Sequence, residues 1–203
     1  MVAIRKYEVD PNSIKTIFIS HLHGDHFGGL PYFLLDAHLV SRREDPLTIV
    51  GPPGLKERLH LARELAFPES TTNKFRFELN VLEVEPDSKT RVGEIELETF
   101  LVKHNCGAPP LALRIICDGK ILAYTGDTEW VESLVPAGHS ADLLICESYF
   151  YEKKVPYHLN YQSLHQNLER IQAKRVILTH LSQDMLNREL DCEVAYDGLV
   201  IMI

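Results

Sequence analysis

The sequence predicts an α/β layered domain, and three observations carry that expectation. Short apolar runs rich in β-branched residues alternate with helical stretches, in the order strand-helix-strand-helix, a run of strands, then strand-helix-strand. Composition is that of an ordinary globular chain, 45% hydrophobic and 25% charged. The length of 203 residues suits one sizeable domain, so residues 1–203 are expected to form a single unit.

Taken in order, residues 14–20 (IKTIFIS) read as a buried strand. Residues 27–40 read as a helix with Pro31 in its first turn. A strand at 47–51 (LTIVG) stops at Pro52-Pro53-Gly54, and 54–66 is a helix with Leu55, Leu59, Leu61, Ala62 and Leu65 as apolar positions. Residues 75–85 and 94–103 alternate polar and apolar, the period of half-buried strands. Strands 111–117 and 120–124 are joined by Asp118-Gly119, a hairpin signal. A short helix near 129–135, a strand at 142–146, a helix at 161–172, a strand at 175–179 and a last strand near 199–202 follow. The segment 184–198 carries no readable pattern.

Several classes are excluded. Apolar runs such as 141–146 are strand-length, far short of a membrane span, and the N-terminal MVAIRKYEVD lacks the apolar region of a signal peptide, so a cytoplasmic protein is expected. Cysteines 106, 117, 146 and 192 form no C-x-x-C pair and read as buried reduced thiols. A net charge of −8 gives no general attraction to polyanions, and Arg42–Arg43 and Lys153–Lys154 read as solvated surface.

The chemistry is concentrated in His21-Leu22-His23-Gly24-Asp25-His26, directly after the first strand. Imidazole nitrogen and carboxylate oxygen are the donors that zinc, manganese and iron(II) accept. His21 and His23 can face one way from an extended segment, Asp25 and His26 another, with Gly24 allowing the turn between them. Three more residues sit at expected strand ends: His104 after 94–103, Asp127 in Gly126-Asp127-Thr128, and His180 in ILTHLS.

Together these motifs resemble the metallo-β-lactamase superfamily of dinuclear hydrolases. The resemblance implies a four-layer αβ/βα sandwich and two divalent ions, zinc first, with manganese or iron(II) as alternatives. It implies that His21, His23 and His104 hold one ion and Asp25, His26 and His180 the other, with Asp127 bridging. Two such ions, about 3.5–4 Å apart, can share and activate a hydroxide, which Asp25 would orient or relieve of its proton.

Residues 144–181 are similar to the RNase Z branch. That similarity implies a phosphodiesterase in which Glu147 orients His158, and His158 protonates the leaving alkoxide. The hydroxyl residues usual after that histidine are replaced by Leu159 and Asn160. Only a short hairpin separates His104 from Asp127, where bacterial RNase Z forms carry a basic arm. A small linear or cyclic phosphodiester, or an RNA 3′ end, is therefore expected rather than a long tRNA. The motif begins at residue 21, where family members have a few tens of residues before it, so the first sheet is expected to lack its N-terminal strands. A homodimer would cover that edge. Two other readings share the ligand set, a thioester or lactone hydrolase and a non-catalytic metal-binding module. Trp130 and Tyr149-Phe150-Tyr151 are candidates for a pocket wall or for the core, and Cys106 is a remote candidate for the metal site. His38, His60, His139 and His165 are expected away from the ligands.

Overall fold

The computed structural model describes residues 1–72 and 74–203. The chain divides into two compact units, Met1–Val84 and Glu85–Ile203.

The first unit runs α1 (Val2–Lys6), β1 (Thr16–Phe18), α2 (Gly24–Phe27), α3 (Leu30–Leu39), β2 (Leu47–Gly51), α4 (Leu55–Ala66) and β3 (Leu79–Glu83). Its sheet has the order β1-β2-β3, with β1 at one edge. Both pairings are parallel, with Thr16 opposite Thr48 and Leu47 opposite Leu79. Parallel strands need cover on both faces, and β2 accordingly buries Leu47, Ile49 and Val50.

Helix α4 corrects one sequence expectation. Leu55 and Leu59 are buried, but Leu61 and Leu65 are 55% and 88% exposed. Positions 55, 59 and 62 share one helical stripe, while 61 and 65 fall on a second stripe well round the helix. Arg43 corrects another. Expected on a solvated surface, it is 1% exposed. Its guanidinium donates to the carbonyls of Asp45 (2.8 Å), Pro46 (2.9 Å) and Pro11 (3.2 Å), so a buried cation ties the entry of β2 to the turn before β1.

The second unit runs β4 (Lys89–Val92), β5 (Ile95–Leu101), β6 (Leu111–Cys117), β7 (Lys120–Tyr124), α5 (Leu134–Gly138), β8 (Leu143–Glu147), α6 (Tyr161–His165), α7 (Leu168–Ile171), β9 (Val176–Thr179), α8 (Gln183–Leu186) and β10 (Glu193–Val194). Its seven-stranded sheet has the order β10-β9-β8-β7-β6-β5-β4. Strands β4 to β7 pair antiparallel, and β7 to β10 pair parallel. The β6–β7 turn has Asp118 at φ 50° and Gly119 at φ 72°, the two left-handed residues of a type I′ hairpin. The parallel half is linked by crossovers through α5 and through α6 and α7, which bury Leu134, Leu164 and Ile171 in one core with Leu144 and Leu178.

The expected helix 161–172 is broken in two. Asn167 turns its side-chain amide onto the Ser163 carbonyl at 2.8 Å, competing for the acceptor that a continuous helix would use. The expected strand near 199–202 has no regular structure; the last pairing is made by Glu193 and Val194, inside the segment that carried no pattern. No helix among the described residues is long and apolar enough to cross a membrane.

Candidate metal centre

In the first unit the chain leaves the sheet just after β1, where Ile19 N donates to Val50 O at 2.7 Å. Ser20, His21 and Leu22 are then all buried, and His23 follows half-buried. The rings of His21 and His23 lie 5.1 Å apart and nearly perpendicular. His23 N-caps α2 in extended conformation, and the helical turn then swings His26 back to 4.0 Å from His21. His26 Nε2 stands 3.4 Å from Asp25 Oδ2. Ser20 Oγ lies 3.1 Å from His21 Nδ1. All four expected ligands of this segment are brought together.

The glycine that shapes this loop is not the expected one. Gly24 has open space where a Cβ would go, whereas a Cβ on Gly28 would stand 2.3 Å from the Gly24 carbonyl oxygen. The chain folds back on itself so closely at Gly28 that any side chain there must displace backbone.

In the second unit the donors come from strand ends. Strands β7, β8 and β9 run parallel and in adjacent positions, so residues at or just beyond their carboxyl ends meet: Asp127, Glu147 and His180. His180 Nε2 lies 3.5 Å and His104 Nε2 3.9 Å from Asp127 Oδ2. Asp127, Glu147, His158 and His180 offer ligand atoms that all lie within 4.8 Å of one another. His104 Nδ1 donates to the Tyr157 carbonyl at 2.9 Å. A carbonyl can only accept, so this bond puts a proton on Nδ1, and Nε2 is the ring atom that faces Asp127. His180 itself has φ 56°, a left-handed conformation that a non-glycine residue keeps only where its surroundings enforce it.

Glu147 is fully buried and accepts from three directions. Its Oε1 takes the Thr128 N–H in a short bond and the Leu159 N–H at 3.3 Å; its Oε2 takes His158 Nδ1 at 3.0 Å. Burial pushes this carboxyl upward, opposed by the His158 and Thr128 hydrogen bonds. The rings of His158 and His180 are parallel at 5.5 Å, with Tyr149 tilted 5.0 Å and 5.4 Å from them.

Two supporting groups escaped the sequence reading, the Tyr157 carbonyl and the Thr125 hydroxyl that accepts Glu147 N at 3.1 Å, whereas the Tyr149 ring beside His158 was among the candidates for a pocket wall. Of those two, only Thr125, next to Gly126-Asp127, gave any signal. The Cys106 thiol is buried and donates to the Ala108 carbonyl at 3.1 Å. Among the other histidines, His38 packs on Phe75 and His165 stands 3.4 Å from Asp191.

A family model described as "Beta-lactamase superfamily domain" matches residues 4–181. The chain belongs to the beta-lactamase superfamily. Within it the chain is RNase Z-like and carries the metallo-β-lactamase fold, and its class is metal-dependent hydrolase. Ribonuclease Z of Geobacillus kaustophilus is 28% identical over 86% of this chain and 72% of its own length. Ribonuclease Z of Ignicoccus hospitalis is 27% identical over 72% of this chain, which spans only 62% of that relative. The crystal structure of human tRNase Z, short form, superposes with a TM-score of 0.79 at 25% identity, covering 98% of this chain and 83% of that one.

Proposed function

We propose that the chain is a dinuclear metal-dependent phosphodiesterase acting on small linear or cyclic phosphodiesters or on an RNA 3′ end. The observation that carries this reading is the pair Glu147–His158, a buried carboxylate fixing an imidazole at 3.0 Å beside Asp127 and His180. An alkoxide leaving from phosphorus needs a proton, and a histidine held in this way can supply it. Thiolates and other good leaving groups need no such acid.

The donors present suit divalent metal. They are imidazole nitrogens and carboxylate oxygens, and His104, whose Nδ1 bonds a carbonyl, presents Nε2 toward Asp127. His21, His23 and His104 would hold one ion, Asp25, His26 and His180 the other, with Asp127 shared, within one hydrolase domain covering residues 1–203. Zinc is the first choice, with manganese or iron(II) as alternatives. When bound, the ions would lower the pKa of water and polarise the phosphoryl oxygen. Asp25, whose side chain is 65% exposed, would orient the attacking water and take its proton. Glu147 would hold His158 Nδ1–H so that Nε2–H delivers the proton to the leaving oxygen. The relatives named Ribonuclease Z support a phosphodiester in RNA. The short β6–β7 hairpin and the charge of −8 favour a small one.

The test is hydrolysis of bis(p-nitrophenyl) phosphate and of a dinucleotide by the metal-reconstituted protein. Asp127→Ala is expected to lose about 10³-fold or more in turnover on both substrates and to bind less metal. His158→Ala should slow the dinucleotide by about 10²–10⁴-fold and spare the nitrophenyl ester, whose leaving group needs no proton. Thioester turnover with neither phosphodiester cleaved would replace this reading by the thioesterase one.

A further inference from the structure

We propose that a recess beside His158 is the subsite for the nucleoside portion of the leaving alcohol, with Trp130 as its stacking wall and Asn160 and Lys154 as its polar contacts. This rests on the phosphodiesterase reading and adds to it what the enzyme grips. The recess encloses about 200 Å³ and is lined by Glu129, Trp130, Lys154, His158, Asn160 and Ser163 among others. That volume is smaller than a whole small-molecule site, about 300–1,000 Å³, and suits a subsite for one part of a ligand.

Each wall offers something a nucleotide can use. Trp130 is held in orientation, since its Nε1 donates to Glu132 Oε1 at 3.3 Å. Arg170, paired with the same Glu132 at 2.5 Å, stands 5.9 Å from the indole centre. An indole fixed in this way is a stacking platform for a base, and stacking accepts any base because every base has a π-face. Asn160 is 5% exposed, and its Oδ1 caps α6 by accepting Ser163 N at 2.9 Å. Its NH₂ is therefore the group left to offer a base or ribose acceptor. Glu129 is anchored by Tyr157 N at 3.1 Å and Lys103 Nζ at 3.2 Å and supplies an acceptor for sugar hydroxyls. Lys154 is exposed and brings positive charge to the phosphate end. His158 belongs to the same wall, so an alcohol held here has its oxygen beside the proton donor.

Trp130 is the single tryptophan of the chain, so tryptophan emission reports on this recess. Adenosine 3′-monophosphate titrated into the metal-loaded protein should quench it saturably, and the quenching should survive chelation of the metal. Ribose 5-phosphate and inorganic phosphate should leave the emission unchanged. Asn160→Ser keeps a capping oxygen but loses the amide, and should weaken the nucleotide about tenfold. Lys154→Gln should weaken the nucleotide about fivefold and adenosine not at all. Circular dichroism establishes that both variants fold. Linear, unsaturable quenching overturns the proposal, as does equal quenching by inorganic phosphate or an unchanged affinity in both variants. Turnover of bis(p-nitrophenyl) phosphate without saturable quenching sinks the recess alone. Saturable quenching without turnover of any phosphodiester leaves a nucleotide site but overturns the leaving-group role.

Discussion

In the first unit four candidate ligands fall within six consecutive residues, 21 to 26, and the chain's own turn brings His26 back to His21. In the second unit the groups come from positions as far apart as 104 and 180, and only the parallel order of β7, β8 and β9 makes Asp127, Glu147 and His180 neighbours. The first arrangement is a property of a short segment, held by one tight backbone approach at Gly28. The second is a property of topology, held by hydrogen bonds that converge on one buried carboxylate. Damage should therefore act locally in the first unit and through the network in the second.

The largest effect expected from that difference is on Glu147. Glu147→Gln keeps an oxygen for the Thr128 and Leu159 amides but turns an N–H toward His158 Nδ1, which forces the wrong tautomer. Dinucleotide cleavage should fall about 10–100-fold with the fold intact. Full activity in this variant would mean that the buried carboxylate is a structural cap and that the second unit is no more networked than the first. Next comes Gly28→Ala, where the new Cβ must displace the Gly24 carbonyl. A cost of about 1–3 kcal/mol in denaturant unfolding is expected, together with reduced metal uptake. Unchanged metal content and stability would show that the ligand loop adapts freely.

The smallest effect is a pinning contact at the start of β8, beside β7 in the middle of the second sheet. Lys174 Nζ at 2.8 Å, and then Ile121 N at 2.9 Å, hold the Asp142 carboxyl below its usual range. A carboxyl depressed on folding stabilises fully above the unfolded value, about 3.9, and loses that contribution as pH falls through its lower folded value. The stability gap between the protein and Asp142→Asn should therefore be constant near neutrality and shrink below about pH 4. A gap that widens on acidification would remove the ion pair from the account.

The same contrast decides what could be read without a structure. The HLHGDH segment was legible because its ligands are neighbours in the chain, and Asp118-Gly119 because type I′ turns demand left-handed residues. His104, Asp127 and His180 were legible only as a set, each following an apolar run. Strand β4 was hidden because it is four residues long and closes on β5 through Gly93-Glu94, with Gly93 at φ 60°. The break before Asn167 was hidden because Leu164, Leu168 and Ile171 keep a perfect helical period across it. The triple acceptance by Glu147 was invisible because two of its donors are backbone amides, which carry no residue identity.

One oxygen of Glu147 serves both Thr128 and Leu159, so neither segment can lift away alone without leaving a buried charge short of a donor. The amide protons at 128 and 159 should exchange with solvent at a common rate, that of the two segments opening together. The loop that carries Asp127 and the loop that presents His158 thus behave as one mechanical part with a single latch.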